Sequence, residues 1–299
     1  MNGTCAPWIA AVMITSGLLL APGDLPGAEL GIGAAAWYGW WDPYWSQVSD
    51  TRVLPRIGIG PEFSGGPLLN FTFNDTWGLS ASYTYGKYDG RVTSFMLNAL
   101  YYYIEQPVTT RRDAERHDAS FLISGRLHPL VKLYGGVIYS GYSMNTRASV
   151  AVLSYSLRVF HHLAGPLIGV ECGIPVASNL FLTPGVFGVF QFSCFVDESG
   201  NRTGAFLNAR IGGTDTTLLY AGLDCTLSLA YCIRQINVTL AIGGRFRYLW
   251  ISEIDKKSFI ADGRHDMLGG ISLAAMYTLS LTAPAADREG ERLPYQQLR

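Results

Sequence analysis

The chain has 299 residues; 48% are hydrophobic, 13% aromatic and only 15% charged, and glycine occurs 34 times. The net charge of −1 gives no basis for a nucleic-acid partner. Beyond the N-terminus, no apolar run reaches the ~18 residues that a membrane helix requires. We therefore expect any membrane crossing to consist of β-strands.

The N-terminus has the features of a secretory signal peptide. Its apolar core runs from Trp8 to Leu20, and Ala21 or Ala28 would be the last residue removed. The alternative for this run is a short buried strand or plug. We expect three parts in the chain: a signal peptide at 1–28, a barrel at 29–282 and a polar C-terminal tail at 283–299.

The first predicted strand alternates from Leu30 to Trp40, with apolar side chains at every second position. Alternate strand residues point to opposite faces of a sheet, so one face is oily and the other contains small residues. The strand leads into an aromatic cluster consisting of Trp37, Trp40, Trp41, Tyr44 and Trp45. Such rings favour a membrane interface at the mouth of a barrel; a ligand-stacking site is the alternative.

The clearest alternation lies in 217–250, where two strands flank a short polar turn. Further strands are predicted near 56–73, 79–85, 121–127, 131–139, 168–174, 180–196 and 271–281. The segments 42–53, 89–117, 143–162, 197–214 and 252–265 are predicted as longer outer loops; for 89–117 the alternative is a loop that carries its own hairpin. Short turns on one side and long loops on the other predict an all-β, antiparallel up-and-down transmembrane barrel of about ten strands, within a range of eight to twelve.

This pattern, from the strand beginning at Leu30 to the one ending at Leu281, resembles the small outer-membrane β-barrels of the OmpW and OmpX type. The resemblance implies the outer membrane of a diderm bacterium, contact with its lipid and assembly by the barrel-assembly machinery. Barrels of this type commonly end on an aromatic residue, whereas a polar tail follows the last strand here. We therefore expect Tyr277, Leu279 and Leu281 to serve in assembly recognition.

Alternation assigns a set of charged residues to the lumen, as a candidate constriction. They are Arg56, Glu62, Arg126, Lys132, Glu171, Asp224, Arg245 and Arg247. Charges in a narrow interior must pair. The sequence leaves two alternatives open: a salt-bridge network that closes the pore, or an anion-favouring polar constriction.

The sequence does not support catalysis, a metal site or a cofactor. His117, His161, His162 and His265, with Asp118 or Asp266 as a loop carboxylate, are the weak candidates for an active site, and no nucleophile motif accompanies them. Cys172, Cys194 and Cys225 fall on the oily face and are predicted to be small lipid-facing residues. Whether they form a disulfide is not readable from sequence.

These features predict a narrow pore or passive transporter for small, partly hydrophobic solutes. Lumen glycines such as Gly169, Gly173, Gly222 and Gly243 would leave room for a solute, which could also exit sideways into the membrane. The alternative is a surface-exposed structural protein or adhesin with a plugged barrel, whose outer loops bind host surface ligands.

Overall fold

The computed structural model describes residues 27–43, 59–97, 105–150, 153–203, 218–254 and 263–281. Almost all of these residues lie in strands: β1 (Glu29–Asp42), β2 (Ile59–Thr72), β3 (Trp77–Leu97), β4 (Glu105–His128), β5 (Val131–Val150), β6 (Leu153–Cys172), β7 (Ile174–Ala177), β8 (Leu180–Thr203), β9 (Leu218–Ile233), β10 (Val238–Glu253) and β11 (His265–Ser280). A single 3₁₀ turn at Arg234–Ile236 joins β9 to β10. No helix among the described residues is long and apolar enough to cross a membrane.

The strands form one closed antiparallel barrel. Apart from β6 and β7, strands that follow each other in sequence pair; β6 pairs with β8, and β1 pairs with β11 to close the sheet. The four-residue β7 continues β6 past Gly173, so ten strands make up the wall. The predicted all-β barrel of about ten strands is confirmed.

The exterior carries an apolar belt. On β3 the outward side chains are apolar or aromatic from Trp77 to Tyr85, a span of nine residues, and Lys87 follows. On the other strands, exposed outward residues include Ile32, Ile123, Val137, Ile168, Leu227, Ile242 and Ile271. A belt of this height matches the roughly 9–11 residues with which a tilted strand crosses a bilayer.

The two ends of the barrel differ. The short-turn end carries four tight turns. It also holds the start of β1 and the end of β11, where the Leu281 N–H donates to the Ala28 carbonyl at 2.9 Å. Its turns use local chemistry: the Asn74 side chain accepts from the N–H groups of Thr76 and Trp77, both at 2.9 Å, and Asn237 adopts a left-handed φ of 52°. The opposite end, called the hairpin end, carries the long connections.

Two predicted outer loops consist largely of strands: the alternative that 89–117 carries its own hairpin is confirmed, whereas the prediction of a loop at 143–162 is wrong. Most of 89–117 continues β3 and β4, and nearly all of 143–162 continues β5 and β6. Above the belt the outward face meets water, so it carries ion pairs such as Lys87–Glu115 at 3.1 Å, while the inward face becomes apolar, as at Tyr88 and Met144. The strands therefore continue where the outward face is no longer apolar. Because the sequence prediction relied on an apolar outward face, it ended these strands too early.

The remaining loop predictions are correct only in part. Asp197–Asn201, expected in a loop, lies within β8, and residues 204–214 fall outside the described part of the chain. β10 extends to Glu253 and β11 begins at His265. Residues 44–53, predicted as the first outer loop, are also outside the described part.

Several glycines lie where neighbouring backbone leaves no room for a side chain. A Cβ on lumen-facing Gly136 would lie 2.1 Å from the Phe121 carbonyl oxygen, and one on Gly222 would lie 2.0 Å from that of Tyr248. The space beside lumen-facing Gly169 is filled by the Phe187 ring, 2.2 Å from the position of a Cβ. Of the four glycines expected to leave room in the lumen, Gly169 and Gly222 therefore permit close packing instead, and so does Gly243, whose Cβ position lies 2.3 Å from Ser228 Oγ. Gly173 alone among these four has open space, with no atom within 4 Å.

The adjacent pair Gly135 and Gly136 on β5 tests this constraint. We predict that Gly136→Ala costs about 1–3 kcal/mol of unfolding free energy by overpacking. Gly135→Ala should cost nothing, because no atom lies within 4 Å of its Cβ position. Urea unfolding of both variants in lipid vesicles measures the difference; equal midpoints would contradict the packing argument.

Candidate functional site: a closed lumen above a polar vestibule

The lumen is crossed by a cluster of six charged side chains, called the ion cluster: Arg116, Asp118, Asp224, Arg245, Arg247 and Asp266. Asp224 on β9 lies directly opposite Arg247 on β10, so both point inward at the same level. Asp224 accepts from Arg247 Nε at 2.8 Å and from Arg245 through two nitrogens, with Arg245 Nε at 2.8 Å. One carboxylate thus holds two guanidinium groups.

The cluster continues across the barrel to β4. Arg247 Nη1 donates to Asp118 Oδ1 at 3.3 Å. Asp118 also accepts two bonds from Arg116, its neighbour two residues away on the same face, at 2.8 and 3.2 Å. Arg247 therefore connects β10 to β4, and its side chain is 0% exposed.

A third carboxylate balances the charge. Asp266 on β11 accepts from Arg116 Nη1 at 3.4 Å and from the indole N–H of Trp41 at 3.0 Å. Three arginines therefore face three aspartates, and the cluster is electrically neutral. Burial of charges is tolerated only with such pairing and additional hydrogen bonds.

Neutral polar groups add further hydrogen bonds, although Arg247 Nη2 and Gln191 Oε1 are buried without a hydrogen-bond partner among the described residues. The Ser140 hydroxyl donates to Asp118, and Gln191 Nε2 on β8 donates to Ser140 Oγ at 3.1 Å. Both residues are fully buried. The Arg116 guanidinium also lies 4.8 Å from the centre of the Trp41 ring, a cation–π distance.

Apolar side chains fill the lumen next to the ion cluster and towards the hairpin end. Trp41 packs edge-on against Tyr88 and Tyr142, with ring centroids 5.5 and 5.2 Å apart. Tyr142 and Tyr220 share a hydrogen bond of 2.9 Å between their hydroxyls. We call this layer the lumen core; its buried members include Trp41, Tyr88, Tyr142, Met144, Leu218, Tyr220, Leu249, Ile251 and Leu268.

On the short-turn side of the ion cluster the lumen has a different character, and we call this part the vestibule. Many of its inward residues are small or hydroxylated and remain partly exposed: Ser80, Ser82, Ser120, Ser124, Thr226, Ser228, Ala241, Ser272 and Ala274. On the β4–β8 side, Leu167 is buried, and Leu122 and Phe187 pack against the buried core. Large side chains nearly fill a barrel of about eight strands, whereas small ones in ten strands leave open space. Arg245 borders this space, with 27% of its side chain exposed.

Trp37 lies flat against the wall at the inner end of the vestibule. A Cβ on Gly39 or Gly270 would come within 2.5 Å of its indole nitrogen, and Arg245 lies 5.4 Å from its ring centre. Within the described part of the chain this nitrogen has no hydrogen-bond partner. A cavity of about 10 Å³, lined by Trp37, Ser64, Thr84 and Arg245, adjoins it, which is no more than the space for one water.

The structure distributes the predicted lumen residues over three locations. Asp224, Arg245 and Arg247 join the ion cluster, whereas Arg126, Lys132 and Glu171 lie near the short-turn end. Glu62 on β2 faces the lumen beside Gly39 and is absent from the bonds of the cluster. Arg56 falls outside the described residues.

Half of the ion cluster is missing from the lumen residues predicted from sequence. The sequence prediction places Arg116 in a loop and treats Asp118 and Asp266 only as loop carboxylates. A usable signal existed: Asp118 and Arg116 continue the inward positions of Ser120 and Ser124 on the same strand. The residues of the predicted aromatic cluster lie on opposite faces of the wall: Trp37 and Trp41 point inward, whereas Trp40 faces outward beside Phe246. Tyr44 and Trp45 are outside the described part.

The candidate catalytic histidines are distributed over different parts of the barrel. His117 and His162 lie on the exterior, each with Nδ1 2.7 Å from a tyrosine hydroxyl, Tyr83 and Tyr139 respectively. His161 stacks on Tyr142 and His265 on Tyr248. Asp118 and Asp266 instead bind arginines. Across the described ranges, no three histidine, cysteine or acidic side chains are grouped as a metal site. Cys172 and Cys225 are free thiols.

The ion cluster should dominate stability. We predict that Asp224→Ala costs about 3–5 kcal/mol, because it leaves the fully buried Arg247 without one of its two carboxylates. Glu115→Ala, which removes the exposed partner of Lys87, should leave the midpoint unchanged within error. Tryptophan fluorescence during urea unfolding in vesicles compares the two variants. Similar losses of unfolding free energy would show that burial of the ion cluster does not determine the stability of the barrel.

No protein-family profile and no curated protein matches the sequence. Among solved structures, the chain is similar to the outer membrane protease OmpT of Escherichia coli at 10% identity and a TM-score of 0.46, covering 87% of this chain and 99% of that one. The translocator domain of the autotransporter NalP from Neisseria meningitidis gives 11% and 0.44, covering 91% and 94%. The toluene transporter TodX of P. putida gives 9% and 0.34, covering 88% and 91%.

These similarities are too low for any activity to be carried over to this chain. The closed antiparallel sheet and its apolar belt are the physical grounds for the location, because closed barrels of strands are the β-structures that span membranes and are typical of the outer membrane. The protein is an outer-membrane β-barrel of ten antiparallel strands.

Proposed function

We propose that the protein is a closed outer-membrane barrel that acts as a rigid scaffold, with its hairpin end as an interaction surface outside the cell. The observation that carries this proposal is the fully buried Arg247, bonded to Asp118 and Asp224 on different sides of the lumen. A solute on the barrel axis would have to displace this side chain together with the lumen core. Separating such buried pairs costs several kcal/mol.

The shape of the hairpin end supports an interaction role. β3 to β6 and β8 continue beyond the last apolar outward residues, so the wall projects above the membrane. Several of its outward charges form ion pairs, as Arg111 does with Asp113 at 2.9 Å. Connections held by a rigid scaffold are common binding surfaces, and the proposed partners are host surface ligands.

A narrow pore for small molecules is the second candidate, and the vestibule favours it. A polar, partly open half-lumen would admit a small solute from the periplasm as far as Arg245. Transport would then require the ion cluster to rearrange. No comparable opening is needed for the scaffold role.

Planar-bilayer recording separates the two. We predict that the wild-type barrel shows no conductance steps, whereas Arg247→Ala shows small steps because it removes the central side chain of the ion cluster. Arg234→Ala, on an exposed turn at the short-turn end, is the control and should stay silent. Defined steps in the wild-type protein, or solute uptake by wild-type liposomes, would refute the closed barrel and favour the pore.

The interaction role has its own test. We predict that exchanging residues 98–104, between β3 and β4, for a glycine-serine linker abolishes binding of the purified barrel to immobilised extracellular-matrix proteins. Exchange of the short turn at residues 74–76 should have no such effect. Absence of wild-type binding to a broad panel would argue against the proposed host partners.

A further inference from the structure

Two tyrosine–histidine pairs with the same geometry lie on the outer wall. His117 on β4 has Nδ1 2.7 Å from the Tyr83 hydroxyl on β3, and His162 on β6 has Nδ1 2.7 Å from the Tyr139 hydroxyl on β5. In both pairs the ring centroids are 6.1 Å apart. In both, the tyrosine is two residues closer to the short-turn end than the residue directly opposite the histidine.

The pairs lie at the outer boundary of the apolar belt. The residue directly opposite His117 is Tyr85, the last belt residue on β3. Gly141 on β5 lies directly opposite both His117 and His162, so the two histidines are at the same height on either side of it. The head groups of a bilayer lie at this boundary, where tyrosine side chains are common. The two histidines therefore face lipid head groups.

The tyrosine bond determines which ring nitrogen is available to a ligand. In a neutral imidazole one nitrogen accepts a hydrogen bond and the other donates. When the tyrosine hydroxyl donates to Nδ1, the proton of the imidazole lies on Nε2. Both histidines are partly exposed, and neither Nε2 is bonded to another described residue. Two N–H donors are thus available at head-group height.

The fixed charges around the pairs do not by themselves attract an anion. Lys87 on β3 binds Glu115 on β4 at 3.1 Å, so these two charges cancel. The register places Asp197 of β8 on the same face, two residues beyond the position opposite His162. Asp118 points inward and binds arginines of the ion cluster. Attraction for an anion must therefore come from the imidazoles, which are neutral or cationic depending on the pH.

We propose that His117 and His162 bind phosphate groups of the outer-leaflet lipid, with each Nε2–H donating to a phosphate oxygen. Hydrogen bonds to an ionised acceptor are stronger than those between neutral groups. On acidification Nδ1 also carries a proton, and the tyrosine hydroxyl can accept from it, because a hydroxyl both donates and accepts. The pair therefore persists while the site gains positive charge, and lipid binding tightens as the pH falls. This site on the exterior is independent of the closed lumen and of partners at the hairpin end.

The test uses the full chain in dodecyl maltoside micelles, which contain no phosphate, titrated with phosphatidic acid and followed by native mass spectrometry. Diacylglycerol with the same acyl chains is the phosphate-free comparison. We expect phosphatidic acid to bind about tenfold more tightly than diacylglycerol at about pH 7.5, because hydrogen bonds to charged groups are the strong ones. This preference should increase at about pH 5.5, where histidine gains its charge.

Matched variants locate the site. His117→Phe combined with His162→Phe retains the rings but removes the donors, so the preference for phosphatidic acid and its pH dependence should both be lost. Tyr83→Phe combined with Tyr139→Phe should lose part of the preference, since the proton is then no longer held on Nε2. His128→Phe is the control, because His128 lies on the short-turn side and its Nδ1 accepts from the Leu130 N–H; this variant should behave like the wild type.

Three results would overturn the proposal: equal binding of the two lipids by the wild type, an unchanged preference in the double histidine variant, or an equal loss in His128→Phe. Circular dichroism establishes whether each variant keeps the barrel. If the double histidine variant does not fold, the double tyrosine variant decides, because it leaves both histidines in place. An unchanged preference and pH dependence in that variant would then refute the role of the tyrosine–histidine pairs.

Discussion

The interior of this barrel depends on the burial of Arg247 between Asp118 and Asp224. One guanidinium joins carboxylates from β4 and β9, so strands far apart around the wall are tied through the centre of the lumen. Asp266 and Trp41 extend the same bonds to β11 and β1. Since removal of any one member leaves a buried charge uncompensated, the six side chains act as a unit.

The polarity of the wall reverses with height, and this reversal explains the architecture. Within the membrane the exterior is apolar because it meets lipid, and the vestibule is polar because it meets water. At the hairpin end the exterior meets water and carries ion pairs, as between Lys87 and Glu115, while the interior is closed by aromatic residues such as Tyr142 and Tyr220. The hairpin end therefore has a core like that of a soluble protein, which a hollow pore would lack.

The glycines contribute to the packing of this wall. Gly136 and Gly222 let neighbouring strands approach, and Gly39 and Gly270 receive the indole of Trp37. The Arg245 guanidinium lies 5.4 Å from the centre of the Trp37 ring. Small residues are thus used in two ways: in the vestibule they leave space, whereas beside aromatic rings they are covered. A small residue looks the same in the sequence in both situations. The glycine content alone therefore does not predict how wide the lumen is.

The sequence by itself determined the barrel, a strand number of about ten within a range of eight to twelve, and the inward position of Asp224, Arg245 and Arg247, because a period of two is a local property of each strand. It did not determine how far the strands extend, since the apolar outward signal stops where lipid gives way to water near Lys87. Nor did it reveal that Arg116, Asp118 and Asp266 join the cluster while Arg126 and Lys132 remain apart. Those contacts link residues up to 150 positions apart, and only the register and closure of the sheet bring them together.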